Sequence, residues 1–142
     1  MTDKASVDAS GDRIQFEDFT LDQQPGSRCA VKVVLGWKPG DDFTGESDGV
    51  DSPTGQLRCA ANATARALER AFGEDVQLSV LGVKAIKAFD AVLVVVSLTS
   101  HARGQDRRLV GSCMVEDEIA RGAALAVLNA TNRLLGNVIA SR

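Results

Sequence analysis

Glu116-Asp117-Glu118-Ile119-Ala120-Arg121-Gly122-Ala123-Ala124-Leu125-Ala126-Val127-Leu128-Asn129-Ala130-Thr131-Asn132-Arg133-Leu134-Leu135-Gly136 decides how the rest of the chain is read. Apolar residues recur at Ile119, Ala123, Ala126, Val127, Ala130 and Leu134, the helical spacing of one core-facing stripe. Ala124, Leu128, Thr131 and Leu135 form a second stripe beside it. One stripe suffices to cover a sheet, so the second predicts packing on another helix, in the same chain or in a partner subunit. Gly136 is the expected stop of this helix, and Asp117 and Glu118 complement the positive end of its dipole.

An earlier stretch has the same form. Ser52-Pro53 is a start signal, because a serine oxygen caps free N–H groups and proline loses no needed donor at the first helical position. The helix should run to Phe72 with Leu57, Ala60, Ala61, Thr64, Leu68 and Ala71 on its inner face, and Gly73 should end it. Three apolar runs precede each helix. Residues 13–21 read as a strand with one slip or bulge, 29–37 as a strong β run, and 43–50 as a shorter third strand. After the first helix, 76–86, 90–98 and 108–115 repeat the series, with 99–108 as a polar connection.

The halves align. Val31-Lys32-Val33-Val34-Leu35 matches Val92-Leu93-Val94-Val95-Val96, Gly45-Glu46-Ser47 matches Gly111-Ser112-Cys113, and Arg70-Ala71-Phe72-Gly73 matches Arg133-Leu134-Leu135-Gly136, at spacings of 61 to 66 residues. Self-similarity at a near-constant period predicts an α+β fold of duplicated βββα units, with antiparallel sheets and two helices packed on them. The repeats span about residues 13–73 and 76–136, within a single domain over 13–142. A polar start at 1–12, with little to bury, is expected to be flexible.

At 142 residues the chain can bury a substantial core. A net charge of -3 and pI near 5.1 argue against affinity built on phosphate neutralisation, so nucleic acid is not the expected partner. No apolar run approaches a membrane span, and an odd cysteine count without CxxC spacing suits a reducing cytoplasm and predicts neither metal nor cofactor. His101 sits in a polar, arginine-rich loop without a sequence neighbour that would orient it. Cys59 and Cys113 lie near helix starts, where thiolates are favoured, yet buried, inert cysteines are commoner. No residue is therefore assigned a catalytic role. The two glycine-containing strand ends before the helices are the strongest local signal: small residues there let a ligand or another backbone approach closely.

These features resemble a known family. Gly45-Glu46-Ser47-Asp48-Gly49-Val50 before one alanine-rich helix, and Gly111-Ser112-Cys113-Met114-Val115-Glu116-Asp117-Glu118-Ile119 before the other, look like the C-terminal regulatory domain of α-isopropylmalate and citramalate synthases, over about residues 13–136. That family's first motif resembles Gly-x-Gly-x-Gly-Pro; here Ser47 and Val50 stand in place of a glycine and the proline, and Cys113 stands where glycine is usual in the second. The resemblance implies a free-standing, non-catalytic regulatory module that dimerises, binds a branched-chain amino acid or similar metabolite, and acts on a partner enzyme. Gly45, Ser47, Gly49, Gly111, Cys113 and Asp117 would line the ligand site. The excess apolar surface of the last helix puts an expected interface at Leu125, Leu128 and Leu135. The alternative is a structural or protein-interaction domain without a small ligand.

Overall fold

The computed structural model describes residues 14–38 and 40–140, with side chains except at residues 38, 74 and 133–140. The expected flexible segment 1–12, and the side chains of Leu134 and Leu135, lie outside the described residues. Strands β1 (Gln15–Gln24), β2 (Arg28–Lys38) and β3 (Asp41–Val50) lead to helix α1 (Pro53–Phe72); a short 3-10 turn, Gly73–Asp75, leads to β4 (Val76–Ala88), β5 (Ala91–Ala102), β6 (Gln105–Val115) and helix α2 (Ile119–Ala140). Each triplet is an antiparallel sheet with its second strand in the middle, giving the duplicated βββα arrangement.

Strand register sharpens the duplication. Val33 pairs with Gly45 and Val96 with Gly111, so Val33 corresponds to Val96, 63 residues on. The apolar match of Val31–Leu35 with Val92–Val96 is therefore off by two. A two-residue shift keeps every side chain on its own face, so the hydrophobic pattern is blind to it. Both units also carry a bulge in the same place: register slips between Phe16 and Asp18 opposite Leu35, and between Val80 and Gly82 opposite Leu98. The extra residues, Glu17 and Leu81, are equivalent.

Three boundaries differ from expectation. The stretch 99–108 is mostly strand, because β5 and β6 close through a two-residue turn at Arg103-Gly104, both with positive φ, as a tight hairpin requires. Strand β3 is as long as β1. Helix α2 passes through Gly136 to Ala140, since a glycine inside a helix costs only about 1 kcal/mol. Gly73 does end α1, with φ of 72° and its N–H donated to the Glu69 carbonyl.

Helix α1 packs on β2, β3, β4 and α2, whereas α2 packs on β5, β6 and α1. As far as Thr131, the second apolar stripe of α2 is thus covered within the chain: Ala124 and Thr131 are fully buried, and Leu128 packs half-buried against the core. Close approach explains the alanine. In α1, Ala60, Ala61, Ala63, Ala65 and Ala67 are all at zero exposure, and larger side chains would hold the layers apart. Arg66 and Glu69 of α1, joined at 2.7 Å, reach the free edge of β4: Arg66 donates to the Leu78 carbonyl at 2.6 Å and Glu69 accepts from its N–H at 2.7 Å. Leu78 stands opposite Ser100 of β5, and these two side chains take up the N–H and C=O that it turns to the open edge of the sheet.

Candidate functional site

The glycine motifs lie under the helices. Gly45 is buried beneath α1, where an added Cβ would stand 1.9 Å from the Ala63 carbonyl oxygen and 2.4 Å from the Ala67 nitrogen. Gly111 is buried beneath α2 in the same relation, with a Cβ 2.2 Å from the Ala126 oxygen and 2.5 Å from the Ala130 nitrogen. Ala63 and Ala67 are the equivalents of Ala126 and Ala130. What approaches both glycines is helix backbone of the chain itself.

Ser47, Gly49 and Cys113 also lie on inward faces, opposite Val31, Cys29 and Val94. The Cys59 sulfur fills the space above Gly49, where a Cβ would be 2.9 Å away. Burial, then the neighbouring Cys29, push the Cys59 thiol up to about 11, while a hydrogen bond with Ser47 pulls the other way. Cys29 donates to the Val50 carbonyl at 3.5 Å. Burial raises Cys113 too, against the favourable charge of Arg121. Thiols held protonated are poor nucleophiles. Asp117 is exposed, two residues before α2, and Leu125 is half-buried. The six candidate ligand residues divide between the two units: Gly45, Ser47 and Gly49 face α1, Gly111 and Cys113 face α2, and Asp117 is exposed ahead of α2.

Sequence reasoning missed one pairing. His101 Nδ1 lies 2.5 Å from Asp106 Oδ1, directly across the β5–β6 hairpin. The Arg-Gly turn was the available signal, since it sets 101 opposite 106. His101 shares the outer face of its sheet and Cys113 the inner face, so the two cannot act together.

The outward faces carry the larger contrast. In the first sheet, the rows across the strands are Asp22, Ala30, Asp48; Thr20, Lys32, Glu46; and Asp18, Val34, Thr44. This face is charged, and Arg28 bridges Asp48 at 3.0 Å. Thr20, Asp22, Lys32, Glu46 and Asp48 border an open concavity of about 440 Å³. The matching rows of the second sheet are Ile86, Leu93, Met114; Lys84, Val95, Ser112; and Gly82, Ser97, Val110. Here Ile86 is 46% exposed, Met114 52% and Val110 63%, with Leu81 of the bulge at 45% and Phe89 at the hairpin tip at 100%. Six of the seven exposed large apolar side chains among the described residues belong to the second unit, so the exposed apolar surface belongs to one unit and not to the scaffold.

Among the described residues, no three His, Cys, Asp or Glu side chains are grouped to hold a metal, and no helix is long and apolar enough to cross a membrane. Comparison with known proteins finds no matching family model and no matching curated protein.

Proposed function

We propose that this protein is a non-catalytic regulatory module that works by association, presenting the outer face of its second sheet to another protein surface. One observation carries the reading: where the first sheet has Asp22, Lys32 and Asp48, the equivalent positions of the second are Ile86, Val95 and Met114. The scaffold tolerates charge at these positions, so folding does not require apolar residues there. Contiguous exposed apolar patches on soluble proteins mark interaction sites. A photo-crosslinking residue at Val110 is expected to capture another polypeptide in cells, whereas one at Lys32 is not. Capture at Lys32 only, or at neither position, would defeat the reading.

A second reading is amino-acid binding, as the resemblance to synthase regulatory domains implies. It is favoured by the concavity on the first sheet, where Asp22, Glu46 and Asp48 beside Lys32 offer both charges that a zwitterion needs. A ligand at a hundred times its Kd stabilises the fold by about 2.7 kcal/mol. Thermal melts with leucine, isoleucine and other amino acids at millimolar concentration are expected to rise for a true ligand; flat melts across the panel reject it.

A further inference from the structure

We infer that the partner of the second sheet's outer face is a second copy of this chain, stacked sheet on sheet about a two-fold axis that runs along β5. The inference rests on the association reading above and adds the occupant and the geometry.

An isologous contact requires a surface that complements itself. A two-fold along β5 lays β4 of one copy over β6 of the other, at the roughly 10 Å spacing of stacked sheets. Leu93 and Val95 then meet their own counterparts, and Ile86 meets the partner's Met114. Charges are kept apart: Lys84 faces the partner's Ser112. Farther along, Arg108 faces Ser79 and Asp106 faces Gln77, and β5 contributes one titratable side chain to this face, His101 at the hairpin end, which meets its own counterpart. A two-fold across the strands through Val95 would instead set Lys84 against itself. The first sheet is a poorer occupant, because it would set Asp22, Asp48, Lys32 and Glu46 against the rows of Leu93 and Val95, where the self-stack sets one charged side chain, Lys84, against a serine.

The area is sufficient. Three strands of 11 to 13 residues make a face of roughly 36 by 14 Å, about 500 Å² per copy and 1,000 Å² in the pair, the lower bound of a specific interface. Phe89 and Leu81 extend it at the hairpin tip and the bulge.

Sedimentation equilibrium on the full chain tests this. The wild type is expected to show twice its 15.0 kDa mass at about 200 μM. Ile86→Glu and Met114→Lys change exposed side chains and should leave the circular dichroism unchanged. Each alone is expected to weaken self-association by tenfold or more. Mixing the two variants should restore a heterodimer, since the geometry sets the carboxylate introduced in one copy against the ammonium introduced in the other. A wild type that stays monomeric, or a dimer that survives both substitutions, overturns the inference, and mixing without recovery overturns the axis. A monomer that still crosslinks to a foreign protein through Val110 would remove the second copy and leave the association reading standing.

Discussion

The two βββα units are alike on the faces that meet the helices and unlike on the faces that meet water. Inside, Val31, Val33 and Leu35 correspond to Val94, Val96 and Leu98, all fully buried, and Gly45 to Gly111, each under a helix backbone. Outside, a row of Asp22, Ala30 and Asp48 corresponds to one of Ile86, Leu93 and Met114. The inner pattern is what the shared architecture requires, for a helix seated on a sheet leaves little room to vary. Nothing in the architecture requires either outer pattern. The difference between the units therefore points to what the molecule does, and their likeness to how it stands.

The helix seats should show the largest effects. Gly45→Ala and Gly111→Ala each put a methyl group into helix backbone, and each is expected to cost more than about 3 kcal/mol in denaturant unfolding. Gly82→Ala, with nothing within 4 Å and ordinary backbone, should stay within about 0.5 kcal/mol. Strong loss at only one of the two seats would show that the units are not packed alike.

Alkaline pH should separate the units next. Cys59 has no counterpart in the second unit, where Gly122 takes its place. Its pKa rises from 9.0 to about 11 on folding, so below pH 9 the thiol is protonated in both states and its contribution is fully present. Between 9 and 11 the unfolded chain ionises first, and up to roughly 2 kcal/mol is lost. Cys59→Ala should flatten much of that decline, leaving the smaller part due to Cys113, which shifts in the same direction. An unchanged pH profile in the variant would show that Cys59 ionises as freely folded as unfolded.

The helix starts should give the smallest effect. Ser52 accepts from the Gly55 N–H at 2.9 Å, whereas α2 starts after Glu118, at a positive φ of 50°. Ser52→Ala is expected to lose about 1 kcal/mol. Glu118→Gly is expected to gain several tenths, because glycine takes that conformation without the Cβ clash. Opposite signs at the two starts in thermal unfolding would confirm the contrast.

Much of the fold was legible. The apolar, β-branched runs at 29–37 and 90–98, the Ser52-Pro53 start and the Gly73 stop are local signals, and each sits where the structure has a strand, a cap or an end. The slip in the first strand was readable too, because Ile14, Phe16, Phe19 and Leu21 do not share one parity. The candidate site was less legible. Gly45 and Gly111 were visible as places of close approach, but a glycine does not say whether a ligand or a helix approaches. Likewise the second stripe on α2 announced a cover without naming α1. The outer faces were overlooked, since half-exposed Ile86, Met114 and Val110 look ordinary until register sets Ile86 and Met114 on either side of Leu93 and puts Val110 on the same face.

The sequence alone was enough for the two βββα units, for their approximate period and for both ends of α1, because these depend on neighbours a few residues away and on repetition that can be counted. Only the tertiary structure decided which backbone fills the space above each glycine, which helix covers α2, and which outward residues stand side by side. Those depend on strand register and on layer packing, and a two-residue shift in register leaves every hydrophobic pattern in the sequence unchanged.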